Sequence, residues 1–337
     1  NVALGERALY LNTTGSYNVS VGMDSLKANT TASENTAVGY QASGNNTTGT
    51  QNVSIGHNTA RLTTTGRENT NVGKGSMYYN TTGSYNTTLG KEALQNNTTA
   101  SNNTAVGYHA GYSNTTGALN TSIGGLAGDA ITTGANNICI GYDSGSEGVS
   151  LTTGSKNILI GNFSNTSAVD VEQEIVIGYD IGGGGTNTVR IGTPGGNATL
   201  GLDGSDTSWA AASDERLKKD VTTSTAGLSF IKDLRPITYK WKAKDAVANT
   251  LPQYNADSSD PVYGSGKTQH GFIAQEVKAA IDSHSEIKNG FSMWVEDPDG
   301  TQQVAPSALV PILVKALQEL SAKNDALEAR ITALEGN

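Results

Sequence analysis

Residues that commonly perform chemistry are few in this chain and lie far apart. The four histidines are His57, His109, His270 and His284. Their positions show no metal-ligand spacing, so we expect structural or solvated roles and no bound metal. Cys139, the single cysteine, lies between Ile138 and Ile140 and is predicted to point to the opposite face of their strand. We expect it to be a free structural thiol. The four glycines at 182–185 lack the strand-to-helix context of a phosphate loop, so we interpret them as a flexible turn and expect no cofactor.

The segment Ser-Asp-Glu-Arg-Leu-Lys-Lys-Asp-Val, residues 213–221, combines a serine with several charged side chains. A serine followed by acidic residues is typical of a helix start, where the serine caps the first turn. A serine also acts as a nucleophile when a neutral base lies beside it. From the residue types alone the helix start is the simpler interpretation, and both remain open.

Composition excludes several classes of protein. The chain has 337 residues, a net charge of −9 and a pI of about 4.9, which argues against nucleic-acid binding. No apolar run approaches the ~20 residues of a membrane span, so we expect no membrane insertion. Residues 1–212 hold 22 charged side chains and the shorter remainder holds 31, which predicts two structural units.

The first unit is a repeat with a fixed stride of 17 residues. Its anchor is Asn-x-x-(Val/Ile/Leu)-Gly, beginning at Asn1, Asn18, Asn35, Asn52, Asn69, Asn86, Asn103, Asn120 and Asn137. A three-residue insertion precedes the copy at Asn157, and a degenerate copy begins at Glu174. Such a period indicates a repeat architecture. Because the chain starts within this pattern, without Met or a signal peptide, we expect it to be a fragment of a longer protein.

Each copy predicts one coil of a β-solenoid or β-roll. Apolar residues at alternate positions, as in Val19 and Val21, share one face of a short strand. The following glycine permits a sharp corner, and the "TTG" that closes each copy is turn chemistry. A small residue follows three positions after that glycine, as in Ser25 and Ala42. The leading asparagines are expected to stack as a ladder between coils.

Each coil has only two or three apolar side chains to bury, which stabilises it by a few kcal/mol at about 25 cal/mol per Å². Ordering the backbone costs about 1–2 kcal/mol per residue. We therefore expect an elongated homo-oligomer. The anchor resembles the repeats of trimeric adhesin heads, which form a left-handed parallel β-roll, although the stride here is longer. This resemblance covers roughly residues 1–200 and implies a rigid trimeric shaft.

The second unit resembles the intramolecular-chaperone, self-processing domain at the C-terminus of phage tail spikes, tail fibres and endosialidases. The resemblance rests on "SDERLKKDV", "LSFIKDLRPITYKWK" and "HGFIAQEVKAAI", and covers residues 213–337. It implies a Ser–Lys dyad in which Ser213 is the nucleophile and Lys218 the general base. The resemblance further implies a cut between Ala212 and Ser213, by which the domain would act as a single-turnover serine endopeptidase and release itself.

The spacing of the implied dyad restricts its geometry. On a helix, residues five apart lie about 140° from each other, and on a strand they point to opposite faces. Ser213 and Lys218 therefore meet only across a turn or between neighbouring chains. Contact between chains would make cleavage depend on assembly.

The elements of the second unit follow from pattern. We predict a short helix ending before Pro236, a strand from Ile237, a strand leading into an amphipathic helix at 271–284, a strand in "FSMWVE" and a loop over 243–268. Heptad spacing places seven residues on one seam: Leu313, Leu317, Leu320, Asn324, Leu327, Ile331 and Leu334. This predicts a coiled coil, with a helix packed on its own domain as the alternative, and the resemblance implies a trimer.

The expected fold class is thus a mainly β, 17-residue repeat shaft that is trimeric, followed by an α+β chaperone domain that ends in a trimeric coiled coil. The expected divisions are the shaft at 1–192, a linker at 193–212, the chaperone at 213–307 and the coiled-coil helix at 308–337.

The resemblance implies a bacteriophage tail fibre or spike, a virion protein made in the host cytoplasm. Its expected partners are two further copies of itself, a host cell-surface receptor (a glycan or a surface protein) and other tail proteins. The alternatives are a bacterial surface trimeric adhesin, or a polysaccharide-degrading spike, that carries the same chaperone. An ice-binding solenoid is disfavoured because the threonines are adjacent and lie in turns.

Overall fold

The chain divides into two units, Asn1–Asp214 and Glu215–Asn337. A computed structural model describes residues 1–202, 210–211, 215, 218–263, 266–288, 290–297 and 300–335. None of the described helices is both long and apolar enough to cross a membrane.

Each 17-residue repeat forms one coil of a β-solenoid, which confirms the predicted architecture. Every coil contributes one short strand that pairs in parallel with the strand of the next coil, so that Val2 lies opposite Val19 and Val19 opposite Thr36. The strands are β1 Val2–Leu4, β2 Val19–Val21, β3 Thr36–Val38, β4 Val53–Ile55, β5 Thr70–Val72, β6 Thr87–Leu89, β7 Thr104–Val106, β8 Thr121–Ile123, β9 Ile138–Ile140, β10 Ile158–Ile160 and β11 Ile175–Gly178.

The glycine after each strand is required by two separate constraints. Gly39 has a φ of +134°, in the region where glycine is free of steric conflict. A Cβ atom on Gly39 would also lie 2.4 Å from the carbonyl oxygen of Gly56 in the next coil. The coils therefore stack closely only because this corner lacks a side chain.

The interior of the shaft is formed by the middle residues of the strands. In β2 to β10 the middle residue points inward and is at most 3% exposed, as in Ser20, Ala37 and Ser54. The alternate apolar residues, which share one face as predicted, lie on the outer face of the coil, where Ile55 is 40% exposed. The predicted alternation is therefore present, and the pattern itself did not state which of the two faces points inward.

The predicted asparagine ladder is present and runs through the interior. The side-chain oxygen of Asn69 accepts the backbone N–H of Asn86 at 2.9 Å, and the oxygen of Asn86 accepts that of Asn103 at 2.9 Å. The same pattern links each first-position asparagine from Asn1 to Asn157. Each buried amide thereby satisfies a backbone donor in the next coil.

A second ladder, which sequence reasoning missed, runs through the asparagine of the closing "NTTG" turn. Asn29 donates to the side-chain oxygen of Asn12 at 2.7 Å, and Asn97 donates to that of Asn80 at 2.9 Å. The two ladders converge on one carbonyl per coil, since Asn35 and Asn46 both donate to the oxygen of Gly49 at 2.9 Å.

The last coils have an apolar interior. Cys139, Leu159 and Val176 occupy the strand-centre positions there, and Ile131 and Leu151 replace the second-ladder asparagine. These larger side chains fit because the facing position is glycine. A Cβ atom on Gly145 would lie 3.0 Å from Leu159 Cδ1 and 3.1 Å from Cys139 Sγ.

The shaft ends in a short antiparallel sheet. Strand β12, Thr188–Thr193, continues the parallel stack beside β11 and then pairs antiparallel with β13, Gly196–Gly201, which pairs antiparallel with β14, Ala210–Ala211. Residues 193–212, which we expected to act as a linker, therefore contain two further strands.

The second unit is a small α+β fold that contains the predicted helices and strands and one strand that was not predicted, Gln302–Val304. Its helices are α1 Leu228–Asp233, α2 Ala274–Ser283 and α3 Val310–Glu335. Its strands form two antiparallel pairs: β15 Ile237–Tyr239 with β16 Gln269–Gly271, and β17 Trp294–Glu296 with β18 Gln302–Val304. Short 3-10 turns cover Lys244–Ala246 and Pro306–Leu309.

Candidate functional site

Of the two residues that the resemblance implies as a self-processing dyad, the structure describes Lys218 and not Ser213. Ala212 and Ser213 lie outside the described residues, so the cleavage site and the nucleophile stay predictions. Lys218 is described and exposed, and its backbone N–H donates to the carbonyl oxygen of Glu215 at 3.0 Å. Residues 218–226 contain neither helix nor strand, so a helix starting at Ser213 does not extend through them.

The unit that follows Lys218 is organised around the aromatic ring of Phe230. Helix α1 places Phe230, which is fully buried, against Val277 and Ile281 of α2. Three further residues complete this core: Met293 just before β17, Leu309 in the 3-10 turn and Ile312 at the start of α3. Two of the segments that carry the family resemblance, the one with Phe230 and the one with Val277 and Ile281, thus contribute to one apolar core.

His284, which follows α2, contacts two carboxylates, and one of them, Asp233, is the last residue of α1. Its Nε2 lies 2.8 Å from Asp233 Oδ2 and its Nδ1 lies 3.1 Å from Glu286 Oε1, while the ring meets Phe230 edge-on at 5.4 Å. The hydrogen bond to Asp233, aided by Glu286, raises the pKa of His284 above its usual 6.5. Hydrogen bonding, including that with His284, lowers the pKa of Glu286. The sequence gives no metal spacing around this histidine, and its role here is to hold two helix ends together.

A second ionic contact ties the segment after α1 to helix α2. Arg235 makes two hydrogen bonds to Glu276, one of them 2.9 Å from Arg235 Nε to Glu276 Oε2. These bonds lower the pKa of Glu276 and raise that of Arg235. Further along α2, the Lys278 ammonium lies 5.1 Å from the centre of the Trp294 ring. Polar contacts around the apolar core therefore link α2 to the segment that follows α1 and to strand β17.

Glu319 on α3 caps helix α1 across 91 positions of sequence. Its Oε2 accepts the backbone N–H of Leu228 at 2.9 Å. A Cβ atom on the preceding Gly227 would lie 2.7 Å from Glu319 Oε1, so only glycine leaves room for the carboxylate. Helix α1 has no capping side chain of its own, and α3 supplies the acceptor that a helix N-terminus requires.

Helix α3 has one buried and one exposed apolar face. Ile312 belongs to the core around Phe230, and Ala316 is also buried. The predicted heptad residues lie on an exposed face: Leu313, Leu317, Leu320, Leu327, Ile331 and Leu334 are between 42% and 75% exposed. Between them, Asn324 donates to Glu328 Oε1 at 2.8 Å. The seam that predicts a coiled coil is thus not covered by the described residues of its own chain.

The other residues considered for chemistry have structural environments. Cys139 is fully buried, and burial raises the pKa of its thiol to about 12. His57 stacks on Tyr40, and His109 lies 2.6 Å from Glu92, whose pKa that hydrogen bond lowers. Among the described residues, no group of three or more His, Cys, Asp or Glu side chains is placed to hold a metal ion.

The glycines at 182–185 surround a buried carboxylate. Glu174 takes the ladder position and is fully buried; its Oε1 accepts the N–H of Gly185 at 2.6 Å and its Oε2 that of Ser167 at 3.0 Å. A Cβ atom on Gly183 would lie 2.0 Å from Glu174 Oε1. This loop therefore closes the asparagine ladder with a longer acidic side chain.

Comparison with known proteins bears on the second unit. Residues 213–285 match the family model described as "Chaperone of endosialidase". No curated protein and no solved structure matches the chain. The matched range contains α1, β15, β16 and α2, and its two helices contribute Phe230, Val277 and Ile281 to the core of the domain. The C-terminal part of this chain therefore contains a chaperone of endosialidase domain, matched over residues 213–285, and it follows a β-solenoid with a period of 17 residues.

Proposed function

We propose that this chain is a homotrimeric bacteriophage tail fibre or spike protein. Its solenoid serves as a shaft in host attachment, and its C-terminal domain acts as an intramolecular chaperone that brings three chains together. The supporting observation is the exposed seam of α3, whose six Leu and Ile side chains remain 42–75% exposed. Apolar residues at heptad spacing that the described part of their own chain leaves uncovered are the usual signature of a helix that pairs with copies of itself.

The chaperone role follows from where this seam is attached. Helix α3 is joined to the domain core by Ile312 and to α1 by Glu319. Association of three α3 helices would therefore also bring three chaperone domains together. The shaft strands are only three residues long in most coils, so their alignment between chains benefits from such a fixed starting point.

We further propose that assembled domains release themselves by cutting before Ser213. Ser213 Oγ attacks the carbonyl carbon of Ala212, its proton passes to the amine of Lys218, and that proton then goes to the departing amine nitrogen of Ser213. Water hydrolyses the resulting ester and leaves a carboxylate on Ala212. The base role requires a neutral amine, which burial favours. Since Lys218 is exposed in the single chain, a neighbouring chain is the natural source of that burial.

The test is expression of the full chain beside Ser213→Ala and Lys218→Ala. Denaturing gels should show wild type cut into pieces of 212 and 125 residues, and both variants intact. Lys219→Ala is the matched control, because it removes the adjacent exposed lysine and should still be cut. Co-expression of Ser213→Ala with Lys218→Ala should restore cleavage if the dyad forms between chains.

Two outcomes count against the proposal. A wild-type chain that stays at full length removes the self-cleavage. A native mass of one chain, before or after cleavage, removes the trimer and with it the proposed shaft.

A further inference from the structure

One outward position of the shaft strands is aliphatic in every coil. The register of β1 to β12 places these residues opposite one another in a single line, which we call the aliphatic row. Its members are Leu4, Val21, Val38, Ile55, Val72, Leu89, Val106, Ile123, Ile140, Ile160, Ile177 and Ile191. Where the exposures are greatest, Leu4 reaches 66%, Leu89 51% and Ile191 43%.

Strand propensity does not account for this choice. The position two residues earlier lies on the same outward face and accepts threonine in five coils: Thr36, Thr70, Thr87, Thr104 and Thr121. Threonine is a good strand former and interacts well with water. The aliphatic row contains no threonine and no polar residue of any kind. The two outward positions differ in this way if water must be excluded from the aliphatic row and not from the other position.

The row is long enough to be an interface. At about 4.8 Å between strands, twelve strands extend roughly 50 Å. A dozen partly exposed Val, Leu and Ile side chains over that length offer several hundred Å² of apolar surface, on the order of the ~800 Å² that each partner contributes to a stable interface. Neither outward row contains a charged side chain.

The regularity of the row identifies its partner. A surface that meets it at every strand must repeat at the same spacing over twelve strands, and another copy of this chain, parallel and in register, does so. The insertion before β10 lengthens that coil to 20 residues but keeps Ile140 opposite Ile160. Extra residues are thus accommodated in the turn, where Glu147, Gly148 and Val149 are exposed, and the row stays continuous.

We infer that the aliphatic row is the surface along which the shafts of three copies of this chain pack against one another. The inference rests on the proposed trimer and adds the contact surface. The threonine-rich turns, such as Thr99 in the same coil as Leu89, then face solvent.

Cysteine cross-linking in the full chain tests this placement. Wild type provides a low background because its one cysteine, Cys139, is fully buried. Leu89→Cys should give a disulfide-linked pair of chains after mild oxidation, with one of the three chains left over. Thr99→Cys is the matched control, exposed in the same coil but in the turn, and should give no pair.

A charge in the row supplies a second measurement. Leu89→Asp should lower the melting temperature of the assembled shaft by several degrees and increase the fraction of monomer in native mass spectra, whereas Thr99→Asp should change neither. If native mass shows a trimer while Leu89→Cys fails to cross-link and Leu89→Asp has no effect, the contact surface is wrong and the trimer stands. If the mass is that of a single chain, the trimer itself is wrong and the inference fails with it.

Discussion

The shaft and the chaperone domain bury opposite kinds of side chain. Most of the shaft interior consists of amides, hydroxyls and small residues, with Asn18, Ser20 and Thr88 all at most 1% exposed. The chaperone core consists of side chains such as Phe230, Val277 and Met293. A buried amide is tolerated only when its donors and acceptors are satisfied. A strict repeat provides that condition, because it sets the same partner at the same height in every coil.

The chaperone domain has no repeat to supply such partners. Its polar contacts are therefore few and individually placed, as with His284 between two carboxylates and Glu319 at the start of α1. The comparison teaches that hydrocarbon stabilises an irregular fold, whereas periodic hydrogen bonding stabilises a regular one. Hydrocarbon also contributes in the regular coils, where Leu26, Met77 and Leu94 are at most 2% exposed, and it forms a larger cluster in the last coils around Leu159.

The largest expected effect comes from deleting the ring at the centre of the chaperone core. Phe230→Ala should lower the free energy of unfolding of that domain by about 3–5 kcal/mol, because it removes buried area and leaves a cavity. Denaturant unfolding followed by tryptophan fluorescence measures this, since Trp294 packs against the core. Val295→Ala, at a position 49% exposed, should change it by under about 0.5 kcal/mol. A small effect of Phe230→Ala would mean that this domain does not depend on its hydrocarbon.

Breaking one rung of the first ladder should cost somewhat less. Asn86→Ala leaves the backbone N–H of Asn103 without its acceptor and removes the bond to Ala100, so we expect a loss of about 2–4 kcal/mol in shaft stability. Asn96→Ala, at a partly exposed position in the same coil, is the control and should have little effect. Hydrogen exchange should show faster opening in the coils beside Asn86. Equal effects of the two substitutions would contradict a structural role for the ladder.

The two regions should also differ in their response to pH. The pKa of His284 is raised in the folded domain, so its contribution to stability is fully present below about 6.5 and is lost as pH rises through the higher folded value. Chaperone stability should therefore decline more steeply between pH 6 and 8 in wild type than in His284→Gln. The ladder amides of the shaft do not titrate. Thermal unfolding at several pH values measures the slopes, and identical slopes for the two chains would exclude this contribution.

The stride and the first ladder were predictable from sequence, but the inside and outside of the strands were not. Alternation in Val19, Ser20 and Val21 shows that two faces differ, and hydrophobicity alone assigns Val to the interior. The structure assigns Ser20 there, because stacked coils joined through glycine corners leave a narrow interior. In β10 the middle residue is again inside, and it can be as large as Leu159 because Gly145 makes room for it.

The elements of the chaperone domain were predicted from pattern, while the contacts that join them were not. Helices α1 and α2 and the seam of α3 follow from periodicity within each segment. The capping of Leu228 by Glu319 depends on tertiary packing over 91 positions, which no local pattern reports. Ser213 was found through a family resemblance, and its geometry is outside the described residues.

The smallest expected effect comes from a substitution that fills a gap in the second ladder. Thr63 stands where the neighbouring coils have asparagine, and it is 2% exposed. As a result the side-chain oxygen of Asn46 has no hydrogen-bond donor, and Asn80 donates to Thr63 Oγ1 at a long 3.3 Å. Thr63→Asn would place an amide nitrogen beside Asn46 and an amide oxygen beside Asn80.

If periodic hydrogen bonding stabilises the shaft, Thr63→Asn should raise its stability by about 1 kcal/mol. Thr63→Val is the matched control: it keeps the shape, removes the acceptor of Asn80 and should destabilise the shaft. Calorimetric melting of both variants beside wild type measures the two shifts. In a hydrocarbon core, a more polar buried side chain would lower stability, which is the opposite of the result expected here. A lower melting temperature for Thr63→Asn would therefore mean that buried hydrocarbon stabilises the shaft interior as it does the chaperone core.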